Sequence, residues 1–173
     1  METCNAMTRY NPDEVVVYPG QGIGTIESIV TQELEGNPVE FYNVRIHNNR
    51  LKLLIPVKNA ATIGLRYPVS PGRGQAILDY LHSAETKPVH AVQNWNRRFR
   101  DYTMRIKNSD LEIVAGVFKE LLTIAKSKIL SFGERRLLEQ VSWIVLGELS
   151  EVLGISEKIL HQSFKIENLT DSQ

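Results

Sequence analysis

The 173 residues carry 20 Lys plus Arg against 20 Asp plus Glu, a formal net charge of zero, and 42% of them are hydrophobic. This is ordinary globular composition, which excludes wholesale disorder. Apolar runs such as residues 15–17 or 143–146 are far too short to cross a bilayer, and residues 1–8 lack the basic-then-apolar order of a secretory signal.

Cys4 is the only cysteine, so neither an intrachain disulfide framework nor a cysteine metal site can be built. A cytoplasmic protein with no cofactor, metal, membrane partner or small-molecule ligand is the expectation. Zero net charge conceals a local excess: residues 87–110 hold Lys87, Arg97, Arg98, Arg100, Arg105 and Lys107 against Asp101 and Asp110. Acids gather later, at Glu139, Glu148, Glu151, Glu157, Glu167 and Asp171. One basic face on a neutral protein suits directed contact with nucleic acid and weak nonspecific binding.

The first half has strand periodicity. Residues 13–19 hold a β-branched run ending in Pro19-Gly20, and residues 23–30 mix β-branched residues with glycine. Residues 40–46 alternate, with Tyr42, Val44 and Ile46 on one face, and Leu51, Leu53, Ile55 and Val57 alternate likewise. Pro19-Gly20, Gly36-Asn37 and Asn48-Asn49 supply turns at short spacing. Together these predict a small antiparallel barrel or meander, with Pro56 at a strand end or sheet edge, where its missing N–H is tolerated. Gly20-Gln21-Gly22-Ile23-Gly24 resembles a phosphate-binding run, but it leads into a strand rather than a helix. It therefore reads as a turn admitting positive φ.

Beyond residue 66 the period becomes helical. Residues 75–81 form a short helix after Pro71, and residues 95–107 form a second. Ser109-Asp110 caps a third, with Leu111, Val114, Val117, Phe118, Leu121, Leu122 and Ala125 at helical spacing. Ser131-Phe132-Gly133-Glu134 is a capping box opening a fourth, which Gly154 ends; Ser156 caps a last helix through Phe164. Strands followed by helices predict an α+β, two-domain chain: residues 1–69 as a small β-barrel and 70–173 as an all-α bundle.

Catalytic chemistry is not indicated. His47, His82, His90 and His161 lack metal-ligand spacing, and Ser131 is explained by its cap. The informative stretch is Asn94-Trp95-Asn96-Arg97-Arg98-Phe99-Arg100. Arginine binds phosphate through a planar fork of permanently charged donors, and a neighbouring aromatic can stack on a base or wedge into a step. The same spacing also fits a tryptophan anchored in the core beside a solvated arginine face. Trp143 is expected in the core, and Phe99 and Tyr102 are expected on the buried face opposite the charges.

Taken together, Val16-Val17-Tyr18-Pro19, Gly22-Ile23-Gly24, Phe41-Tyr42, Ile55-Pro56-Val57 and Gly64-Leu65-Arg66 resemble the N-terminal domain of the CarD/CdnL family. That domain is shared with transcription-repair coupling factor. Asn94-Trp95-Asn96-Arg97-Arg98, Leu130-Ser131 with Glu134-Arg135, and Gly147-Glu148-Leu149 resemble the family's C-terminal domain. The resemblance implies a Tudor-like barrel docked on the β subunit of bacterial RNA polymerase and a compact helical bundle on promoter DNA. Trp95 would wedge into the minor groove at the upstream edge of the bubble, with Arg97, Arg98, Arg100 and Arg135 on nearby phosphates. The polymerase-facing candidates are Arg45, Arg50, Lys52, Leu54 and Pro56; Gln32 and Leu54 stand where relatives carry basic residues. The alternative is a polymerase-binding adaptor whose helical half docks another protein.

Overall fold

The computed structural model describes residues 9–84 and 94–166. Strands β1 (Val15–Tyr18), β2 (Gly22–Leu34), β3 (Asn37–Ile46) and β4 (Lys52–Pro56) form one antiparallel sheet in the order β1-β2-β3-β4. The sheet curls into a half-barrel. The β2–β3 ribbon runs further than its hydrophobic alternation indicates, out to the Leu34/Asn37 pair, because Gly36 with φ of 79° permits a tight turn. A bulge between Ile26 and Ser28 bends β2. Val57 leaves β4 and opens a short 3₁₀ turn followed by helix α1 (Ala60–Ile63), so the alternation over 51–57 overruns the strand. The chain then returns to β1, where Val17 and Arg66 exchange backbone hydrogen bonds of 2.8 and 3.3 Å.

Tyr42, Val44, Ile46 and Ile55 point inward as their alternation predicts, around a core shared with Tyr10, Val16 and Ile26. Tyr10 donates its hydroxyl to the Leu65 carbonyl at 2.8 Å and meets the Tyr42 ring edge-on at 5.6 Å. A buried phenol keeps its large apolar ring inside by finding one acceptor.

The helical half comprises α2 (Pro71–His82), α3 (Trp95–Ile106), α4 (Leu111–Ser127), α5 (Phe132–Leu153) and α6 (Glu157–Ser163). Helix α2 begins a turn before its apolar periodicity, because Ser70 accepts from the Arg73 N–H and Pro71 occupies the first helical position. Asp110, not Ser109, caps α4. The Ser131–Glu134 capping box forms in full, and Gly154 ends α5 with φ of 66°. Ser156 precedes α6 but its side chain makes no capping hydrogen bond. Leu138, Val141, Val145, Leu149, Val117, Phe118 and Leu121 fill the bundle core.

The two cores meet along β2 and α5. Gly22 (φ 88°) lies so close that a Cβ there would be 3.3 Å from the Ile144 Cα, and Ile23 packs against Gly147. No described helix is long and apolar enough to cross a membrane.

Candidate nucleic-acid interface

Helix α3 owes its orientation to two inward residues one turn apart, Tyr102 and Ile106, both 2% exposed. Burial, with Glu120 nearby, pushes the Tyr102 hydroxyl up to about 12. The Asn94 side chain accepts from the Asn96 N–H at 3.2 Å and starts the helix, placing Trp95 at its first position.

Trp95 is half-buried. Its inner edge packs on the bundle core and lies over Gly133, where a Cβ would come within 2.8 Å of the ring. Phe99 follows one turn on, its ring 5.5 Å away. Phe99 itself is 44% exposed, against the expectation of a core position: Tyr102 and Ile106 fill the space under α3 and leave Phe99 on the flank.

The arginines separate into two kinds. Arg97 and Arg100 are exposed, with no ion-pair partner among the described residues. Arg98 turns inward, 11% exposed, to pair with Glu134 at 3.1 Å, while its guanidinium lies 5.9 Å from the Trp95 ring centre. Arg98 thus braces Trp95. Arg105 is occupied by Asp101 and Glu120. Arg135 is half-buried on the first turn of α5, beside exposed Arg136. Lys87 lies outside the described residues.

Glu134 is the hub. It is 1% exposed and accepts from the Ser131 N–H at 2.9 Å, from Lys128 Nζ at 2.9 and 3.0 Å, and from Arg98. Burial raises its carboxyl, but Lys128 and the Ser131 backbone outweigh burial and hold it below the ordinary value. Spacing identifies this residue as the box glutamate. Only the packed structure shows that it also ties α3 to α5.

Trp143, expected in the core, is instead half-buried against His161 of α6, with ring centres 4.7 Å apart, and does not belong to the bundle core. The core-facing line of α5 runs through Val141, Ile144, Val145 and Glu148, which puts Trp143 at its margin. Phe132, 69% exposed with Arg136 5.8 Å from its ring centre, adds an aromatic that the periodicity did not single out. Its spacing of four from Arg136 was the available signal.

On the half-barrel, β4 is the open edge, since β1 is met by the returning chain at Arg66. Lys52 and Leu54 face outward there, Leu54 50% exposed, and Pro56 pairs with Phe41 at the strand end. Arg45 and Lys52 both bind Glu27, at 2.9 and 3.1 Å. Arg50 lies exposed in the β3–β4 turn at a φ of 55°, and Gln32 lies exposed on the distal ribbon.

The other sequence features sort simply. Gly20 and Gly22 have positive φ in the β1–β2 hairpin, and the chain continues from them into β2 rather than a helix. His47 bonds Thr25, His82 bonds the Leu78 carbonyl and stacks on Phe164, and no cluster of potential metal ligands occurs among the described residues. His90 and Cys4 lie outside the described residues.

The CarD-like/TRCF RID domain matches residues 10–67 and the CarD C-terminal domain matches residues 76–165. The Bacillus subtilis (strain 168) protein named "Putative transcription factor YdeB" is 26% identical over 143 residues, covering 83% of this chain and 92% of its own. The solved structure titled "CdnLNt from Myxoccoccus xanthus" is 35% identical, covers 36% of this chain and 89% of its own, and has a TM-score of 0.32. The chain belongs to the CarD/CdnL family of transcription regulators that interact with RNA polymerase.

Proposed function

We propose that the protein docks on the polymerase β subunit through the open β4 edge and holds promoter DNA with α3. Trp95 enters the minor groove at the upstream edge of the bubble, and the open complex collapses more slowly. One observation carries this reading. Trp95 stands half-buried at the first position of α3, braced by Gly133 and Arg98, on the helix that also carries the exposed cations Arg97 and Arg100. An apolar wedge costs a few kcal/mol of unstacking, offset where DNA is already opening and phosphates are held alongside. Polymerase supplies the location, so a neutral protein needs no high affinity of its own for DNA. Arg97, Arg100 and Arg135 are the phosphate ligands proposed here, and Arg98 is a brace. Leu54, with Arg50, Lys52 and Pro56, forms the polymerase-facing edge, where backbone pairing to an added strand carries much of the affinity.

The test is open-complex lifetime on promoter DNA, with polymerase binding followed in parallel by pull-down. Wild type lengthens the lifetime; Trp95→Ala abolishes this and still binds polymerase; Leu54→Asp loses both. A lengthened lifetime with Trp95→Ala would overturn the wedge. The exposed Phe132 and Ile129 (85% exposed) favour a second reading, in which the bundle docks another protein. That reading prevails if wild type binds polymerase without altering the lifetime.

A further inference from the structure

We propose that the cleft between the half-barrel and the bundle, beside Trp95, binds one unpaired DNA base. This deepens the DNA reading above and rests on it. The cleft has a volume of about 690 Å³, and both halves build it: Asn48 and Asn49 of the β3–β4 turn face Phe99, Phe132, Arg136 and Trp143. Such a space admits a molecule of nucleoside size but not a duplex, whose diameter exceeds it.

Its walls suit a flat heteroaromatic ring. Phe132, Arg136, Gln140 and Trp143 lie on one face of α5 at successive turns. Phe99 and Phe132 are 44% and 69% exposed, a cost in water that folding does not explain, because neither belongs to the bundle core. Arg136 over Phe132 presents a charged planar pair, the combination on which bases stack irrespective of sequence. Trp95 lies at the cleft's mouth, since Gly133, which its ring covers, is also part of the lining.

The floor offers hydrogen bonds rather than charge. Asn49 Oδ1 accepts from the Leu51 N–H at 3.0 Å, which leaves its amide N–H₂ to donate. Gln140 Nε2 reaches the Gly20 carbonyl at 3.5 Å, which leaves its oxygen to accept. Glu139 also lines the cleft and repels phosphate. The base therefore enters while its phosphate stays at the rim, near Arg136 and near Lys107, whose stem packs on Gly20. Strand separation beside Trp95 supplies such a base.

The experiment compares a blunt duplex with the same duplex bearing about three unpaired nucleotides at one end, one of them 2-aminopurine. Fluorescence anisotropy at low salt is measured for wild type and Phe132→Ala. Stacking one base on an aromatic changes affinity roughly 5- to 150-fold. Wild type is expected to prefer the overhang by at least about fivefold and to quench 2-aminopurine. Phe132→Ala loses both effects and keeps its affinity for the blunt duplex, and circular dichroism melting confirms that it is folded. Equal wild-type affinity for the two DNAs, or an undiminished preference in Phe132→Ala, overturns the proposal while leaving the wedge intact. Absence of binding to either DNA at low salt with protein up to about 1 mM, above the range of even weak nonspecific DNA affinity, removes the DNA reading itself and this site with it.

Discussion

Arg66 and Glu148, 82 residues apart, meet across the domain seam in a bidentate pair, with N–O distances of 2.6 and 2.9 Å. Glu148 is fully buried and also accepts from the Val69 N–H at 3.0 Å, while Arg66 Nε donates to the Ser109 carbonyl. One guanidinium therefore joins the half-barrel's returning strand, the start of α4 and the middle of α5.

Arg66→Ala leaves a buried carboxylate without its charge partner, which costs on the order of 3–5 kcal/mol. Urea unfolding should show that loss, and Arg66→Ala/Glu148→Ala should cost clearly less than the two single changes summed. A loss below about 1 kcal/mol for Arg66→Ala would mean the pair is not a structural tie.

The two kinds of arginine should behave differently on DNA. Each phosphate contact adds about 0.9 to the steepness of the log–log salt dependence of duplex binding. Arg97→Ala and Arg100→Ala should each flatten the slope by about that amount without changing the melting temperature. Arg98→Ala should instead destabilise the fold, because it leaves Glu134, 1% exposed, with Lys128 as its remaining charge partner. A flattened slope with unchanged stability in Arg98→Ala would return it to the phosphate ligands.

Glu134 makes stability depend on acid. Its carboxyl is held below its ordinary value of 4.5 in the folded protein, so the ionised form is the stabilised one. The contribution is complete above pH 4.5 and disappears as pH falls through the lower folded-state value. Glu134→Gln should be less stable than wild type at about pH 7, with the gap narrowing as pH drops below 4.5. Denaturant melts across that range measure it, and a constant gap would assign the effect to packing.

Gly133→Ala tests the support beneath Trp95. Alanine is the better helix former by roughly 1 kcal/mol, but its Cβ would lie 2.8 Å from the indole. The ring must shift. Tryptophan fluorescence should change, open-complex lifetime should shorten toward that of Trp95→Ala, and polymerase capture should be unaffected. An unchanged lifetime would show that the wedge tolerates displacement.

Sequence by itself determined whatever is local. Alternation put Tyr42, Val44, Ile46 and Ile55 inside, because successive strand residues point to opposite faces. The serine–glutamate spacing of three fixed the start of α5, because both hydrogen bonds of a capping box lie within one turn. The phosphate-like glycine run resolved into a hairpin because a strand, β2, comes directly after it. Tertiary structure decided what depends on a partner distant in sequence. Periodicity placed Arg98 among exposed cations, but Glu134, 36 residues away, drew it inward. Phe99 and Trp143 have apolar side chains on helices, yet neighbouring residues fill the core first and leave both beside the cleft. Gly64-Leu65-Arg66 and Gly147-Glu148-Leu149 were legible as separate motifs. That they form one ion pair depends on the fold, since a charge at one position constrains no particular distant residue until the chain has packed.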